Sequence, residues 1–211
     1  LYPQSFYYCW AYNLIKKKGI PVFCTPSGNF GNLTGGVIAG IMGMPYKKFI
    51  AATNINDTIP EFLSTGVYRA RPSVKTYSNA MDVGDPSNFA RLIDIFKTKD
   101  SMQKAITGFS VTDSETADAM KMVYGKYKYM LDPHGAVGYR AISKHIEETG
   151  DVKTPYILLE TAHPAKFGEV IQEVVGVSPE IPETLKGYLD KEKVSVKIEP
   201  DYAELKNYLL K

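Results

Sequence analysis

The sequence predicts an α/β fold, an open and largely parallel sheet with helices on both faces. Three observations carry this. Short apolar runs rich in branched and aromatic residues alternate with stretches of three- and four-residue periodicity. Several of the runs end in a polar or glycine-rich corner that opens a helix, which is the pattern of strand–loop–helix units. The chain has 211 residues and 44% hydrophobic content, enough to bury one sizeable core.

In chain order, Phe6, Tyr7, Trp10, Ala11, Leu14 and Ile15 recur at helical spacing and predict a first helix with that face buried, ending at residues 16–19. Residues 20–24, bounded by Gly19 and Pro26, predict a buried strand. After a glycine-rich loop, Leu33, Val37, Ile38, Ile41 and Met42 mark one face of a helix over residues 33–44. Its glycines permit close packing against the sheet. Residues 49–53 repeat the strand signal, residues 54–57 form a polar corner, and Ile59, Phe62 and Leu63 start the next helical pattern.

Residues 66–87 are mostly turn chemistry, a long irregular segment of the kind that is usually functional inside a compact domain. Helices resume near Asn88. Thr112, three residues before Glu115, is a capping-box signature that opens a helix striped with Met120, Val123, Tyr124 and Tyr127. Asp132, Pro133, His134 and Gly135 open another helix, residues 156–160 read as a further buried strand turning at Thr161, and residues 166–175 as a helix. Residues 1–178 are expected to form the main α/β domain. Residues 179–211 are expected to add a helix–strand–helix extension packed on it, with the strand at 194–198.

A formal charge of +2, with no like-charge run longer than Lys16, Lys17 and Lys18, gives no nucleic-acid or membrane footprint and points to a small-molecule partner. No stretch suits a bilayer span or a signal peptide, so a cytoplasmic protein is expected. Cys9 and Cys24 fall in apolar surroundings, as reduced cysteines do. His134, His145 and His163 lack metal-site spacing, and no zinc is expected. The chain opens on Leu1 and runs straight into a helix, which suggests a fragment.

Three polar corners follow predicted strands and converge on one edge of a parallel sheet: residues 27–32, 54–57 and 161–163. In the first, Gly28 and Gly31 free the backbone to approach an anion, while Ser27, Asn29 and Asn32 offer donors at a helix N-terminus. Composition alone leaves a phosphate cradle and a plain helix-capping turn equally open. Asn54, Asn56 and Asp57 fit either a ligand edge or an Asx turn.

The loop from Thr25 to Asn32, with Ser27, Gly28, Asn29, Phe30, Gly31 and Asn32, resembles the loop with which threonine synthases hold the phosphate of pyridoxal 5'-phosphate (PLP). The resemblance extends in order through residues 52–57, 76–82, 86–88, 132–138 and 160–167, and so covers most of the chain. It implies the large domain of the tryptophan synthase β-like fold, fold type II, present in part, and a reaction that turns O-phosphohomoserine and water into threonine and phosphate. It implies that the loop binds the cofactor phosphate and that Thr161 contacts the pyridine nitrogen. Ser78, Asn79, Ser87 and Asn88 are candidate substrate contacts, with Arg69, Arg71 or Lys75 as possible anion partners. The family's Schiff-base lysine stands upstream in a Phe-Lys-Asp setting that this chain lacks. Lys166 matches a carboxy-terminal turn of the family instead and is rejected for that role. The chain alone is therefore expected to be inactive, with the amino-terminal part of the same polypeptide as its partner. Two alternatives stand beside this: a phospho-lyase of the same fold, and a phosphate-binding module without catalysis.

Overall fold

Four parallel strands form the sheet: β1 (Val22–Pro26), β2 (Lys48–Thr53), β3 (Ile106–Ser110) and β4 (Tyr156–Leu158), in the order β3-β2-β1-β4. In register, Val22 lies between Lys48 and Tyr156, and Phe49 opposite Ile106. Because parallel neighbours require crossovers, every strand ends on the same edge, and the loops there meet. The computed structural model describes residues 1–189 and 191–210, and divides into two compact units, Leu1–Pro179 and Glu180–Lys211.

Alternation along the strands sorts the core into two faces. Phe23, Phe49, Ala51 and Ile106 join a cluster with Tyr8 of α1 (Tyr2–Ile15), Leu33 and Val37 of α2 (Gly31–Ile41), Ile59 and Leu63 of α3 (Thr58–Thr65), Leu92 of α4 (Phe89–Phe96) and Met102 of α5 (Lys99–Ala105). Val22, Cys24, Ile50 and Ala52 face the other way, against Val137 and Ala141 of α7 (Pro133–Thr149). Beyond α7, α6 (Asp113–Tyr127) and α8 (Gly168–Val175) share a third cluster around Met120 and Ile171. The predicted capping box is present, with the Thr112 hydroxyl accepting from the Glu115 N–H and Glu115 accepting from the Thr112 N–H. Cys24 is buried, its thiol donates to the Gly138 carbonyl at 3.3 Å, and burial pushes its pKa up. No helix among the described residues is long and apolar enough to cross a membrane.

Two expectations are corrected, and one strand lies outside the sequence reading. The buried face of α1 is Ser5 and Tyr8, while Phe6, Trp10 and Leu14 are 66%, 66% and 67% exposed. The reason lies on α2: a Cβ at Gly36 would come within 2.5 Å of the Tyr8 ring and one at Gly35 within 2.9 Å of Gln4, so these glycines admit the Gln4 and Tyr8 side of α1 and turn its larger residues outward. Strand β3 has no apolar run to announce it. Its central Gly108 sits where a Cβ would lie 2.8 Å from the Cα of Pro60, so close packing on α3 replaces side-chain bulk. In the second unit, α9 (Glu183–Leu189) and α10 (Tyr202–Leu209) form, but residues 194–198 pair with no strand among the described residues. Val194 is 90% exposed there, and without a partner for its backbone groups a strand gains nothing over coil. Residues 190 and 211 of the expected extension lie outside the described residues.

Candidate functional site

Strand β1 ends at Pro26 and α2 begins at Gly31, leaving residues 27–30 to turn the chain at the sheet edge. Phe30 makes the turn in the left-handed region, φ 61°, as the residue before α2, and its ring is 1% exposed in the core below. Burying that ring holds a backbone conformation that a residue with a Cβ otherwise avoids. Gly28 passes so close to the turn of residues 79–81 that a Cβ would lie 2.6 Å from the Cα of Met81.

The loop's side chains hold the loop itself. The Ser27 hydroxyl donates to Asn32 Oδ1, and Asn32 Nδ2 donates to the Pro26 carbonyl at 2.8 Å. Asn29 Oδ1 accepts from the Ser87 N–H at 2.7 Å and hydroxyl at 3.0 Å, while Asn88 Nδ2 donates to the Asn29 carbonyl at 2.9 Å. From beneath, the fully buried Tyr8 hydroxyl donates to the Asn32 carbonyl at 2.9 Å and lies 2.8 Å from Thr25 Oγ1. The Ser27 hydroxyl and one Asn32 amide hydrogen are thus spent on architecture, while the Asn29 side chain enters it only through its acceptor oxygen. What remains are Asn29 Nδ2 and the backbone N–H groups of residues 28–32, which donate to nothing among the described residues. Free amides at the start of an 11-residue helix favour an anion by hydrogen bonding and by the helix dipole.

The residues that carry these amides line a cavity of about 660 Å³, a size typical of small-molecule sites. Gly28, Asn29, Phe30, Gly31, Asn32 and Asn88 line it from one side, and Glu160, Thr161, Ala162, Lys166 and Phe167 from the other. Pro26, Leu159, His134, Met81, Ala80, Gln4 and Tyr7 complete the lining. Thr161 is exposed, and its hydroxyl makes no hydrogen bond among the described residues. Lys166 is the one Lys or Arg in the lining among the described residues.

The second corner serves another purpose. Asn54 Nδ2 donates to Thr76 Oγ1 and Asp82 Oδ1, both at 2.9 Å, and Asn56 Nδ2 to the Val74 carbonyl at 2.8 Å. This buried network pins the irregular segment to the sheet edge. Ser78 belongs to it, 1% exposed and bonded to Asn54 at 3.1 Å. Asn79 is exposed in the adjoining turn, and neither it nor Ser78 nor Ser87 lines the cavity. Arg71 pairs with Asp57 and Glu61, and Arg69 with Glu61, so both cations are engaged by the start of α3.

At the back of the cavity Asp132 caps α7, accepting from the His134 N–H at 2.9 Å and standing 2.7 Å from His134 Nδ1. The Glu160 carboxyl tip tucks against Gly135 although the residue as a whole is exposed. Burial of that tip, and then the neighbouring Asp132 charge, raise its pKa well above the usual carboxylate range. Sequence reasoning missed Tyr8 and Met81 as supports of the loop. Tyr8 carried one readable signal, a polar-tipped aromatic three residues after Ser5 on the side opposite the expected face. Met81 carried none.

Comparison with known proteins matches this arrangement to one family. The family described as "Threonine synthase, C-terminal" matches residues 135–209. Threonine synthase of Haemophilus influenzae is 40% identical over 93% of this chain and 45% of its own length. Among solved structures, PLP-bound threonine synthase from Brucella melitensis superposes with a TM-score of 0.87 at 28% identity, over 99% of this chain and 50% of that one. Threonine synthase from Escherichia coli gives 0.78 at 36% identity, over 92% and 44%. The chain spans about half the length of the curated relatives it matches. Parallel sheet, strand-end loop and sequence agree with these matches, and the chain belongs to the threonine synthase family, with the α/β fold of PLP fold type II enzymes.

Proposed function

We propose that this chain supplies the cofactor-phosphate cradle and part of the substrate wall of a cytoplasmic, PLP-dependent threonine synthase, which converts O-phospho-L-homoserine and water to L-threonine and phosphate. The carrying observation is the set of unpartnered N–H groups at residues 28–32, residues that line a cavity together with Thr161. They suit a dianionic phosphate that needs donors and no counter-charge beyond a helix N-terminus. When bound, PLP supplies an electron sink for carbanion chemistry.

The chain's own residues bind and orient. Residues 28–32 hold the phosphate through backbone amides, and Ser87 and Asn88 fix Asn29 so that the amides stay aligned. Thr161, with its free hydroxyl, meets the pyridine nitrogen with a neutral partner, which moderates the pull of the ring on electrons. Asn88 is the candidate substrate contact that reaches the cavity, whereas Ser78, Asn79 and Ser87 act by shaping its rim. Lys166 offers its charge to an anionic ligand group rather than forming the Schiff base. That lysine comes from outside these residues, so the chain by itself carries no activity.

The test is product analysis of the complete protein. L-threonine and phosphate formed together from O-phospho-L-homoserine are expected. Phosphate released with only a keto acid would make the protein a phospho-lyase and overturn the assignment.

A further inference from the structure

Among the described residues two buried side-chain atoms lack a geometric hydrogen-bond partner, Asp132 Oδ2 and His134 Nε2; the Asp132 side chain meets the Glu160 carboxyl, which leaves Nε2 of His134, a residue of the cavity lining, as the open acceptor. Asp132 is 0% and His134 2% exposed. Capping α7 requires only the Asp132 carboxylate and the His134 backbone N–H, which meet at 2.9 Å, and any residue at position 134 would satisfy it. The imidazole is left without a structural reason.

Its geometry supplies one. Asp132 Oδ1 lies 2.7 Å from Nδ1, and a carboxylate only accepts, so Nδ1 carries the proton. In the neutral ring Nε2 is then an acceptor with a lone pair and no donor. Phe167 covers the imidazole with ring centroids 4.8 Å apart, which fixes its plane and keeps bulk solvent away. A buried acceptor left unpaired forfeits its hydration, so a site built this way is complete only when something donates to it.

We infer that Asp132 positions His134 so that His134 Nε2 accepts a hydrogen bond from an O–H or N–H group of the ligand held in the cavity. This assigns the ligand a donor-bearing end at the α7 side, across from the anion-binding amides of residues 28–32. The Asp132 carboxylate keeps the ring in the Nδ1–H tautomer, and His134 makes the contact. The inference rests on the reading of the cavity as a ligand site.

The test uses the complete protein carrying this chain, with L-threonine as the probe because it bears both donors, and L-2-aminobutyrate as the analogue without the hydroxyl. With ¹⁵N-labelled histidine, His134 should show an Nδ1–H tautomer whose Nε2 resonance moves as L-threonine saturates the site. His134→Asn keeps a donor where Nδ1 stood and removes Nε2, so it should weaken L-threonine binding roughly tenfold, while His134→Gln, whose amide reaches the Nε2 position, should recover most of that loss. A penalty that persists with L-2-aminobutyrate identifies the amine as the donor, and one that vanishes identifies the hydroxyl. An Nε2 resonance unmoved at saturation, or equal affinities of wild type and His134→Asn, overturns the inference, and the resonance decides alone if the variants fail to fold. A wild-type protein that does not bind L-threonine overturns the cavity reading itself, and this inference with it.

Discussion

The loop of residues 27–32 and the turn of residues 160–167 face one cavity, yet the first is fixed on every side while the second hangs from an edge strand of three residues. Residues 27–32 are tied to Pro26, to Ser87 and Asn88, and through Asn32 to the buried Tyr8, with Phe30 anchored in the core. Thr161 and Lys166 are exposed, and β4 pairs with β1 alone. The difference teaches how labour is divided. A phosphate with fixed geometry is met by backbone amides that need no rearrangement, and a wall that contacts a changing group retains freedom to adjust.

The comparison can be broken most severely at Gly28. Its Cβ would meet the Met81 backbone at 2.6 Å, so Gly28→Ala should destabilise the protein by about 1–3 kcal/mol in urea unfolding. A loss near zero would show that the loop yields. Tyr8→Phe comes next. It strips a buried hydroxyl from Asn32 and Thr25, so about 1–2 kcal/mol should be lost, and affinity for PLP should fall as the amides loosen. Unchanged affinity would mean that support from below does not set the cradle. On the other wall Thr161→Ala should change stability by less than about 0.5 kcal/mol, because the side chain is exposed. It should nonetheless shift the visible absorbance of the bound cofactor. A large stability loss with unaltered absorbance would reverse the contrast between the walls.

Much of this was legible in the sequence, for identifiable reasons. Strands β1 and β2 announce themselves because they are buried on both faces, although β1 runs over Val22–Pro26, two residues later than the expected 20–24, and the capping box of Thr112 and Glu115 is local chemistry that no distant contact overrides. The faces of α1 were not legible. A helix with Phe6, Tyr7, Tyr8, Trp10 and Tyr12 is aromatic nearly all round, and the glycines that choose its inner side stand on α2. Strand β3 escaped because Gly108 trades bulk for proximity to Pro60. At the site, the loop's residue types were readable, but the clamp on Asn29 was not, since its partners Ser87 and Asn88 stand nearly sixty positions away, at separations of 58 and 59.

The central claim is that the amides of residues 28–32 hold the cofactor phosphate, and Gly31 tests it most directly. A Cβ there would be in ordinary contact, 3.4 Å from Asn88 Nδ2, so the position tolerates a side chain and the effect of charge can be read apart from bulk. In the complete protein, Gly31→Asp should abolish the visible absorbance of bound PLP by placing a carboxylate where the phosphate belongs, and Gly31→Ala should largely retain it. Full absorbance in Gly31→Asp would contradict the account.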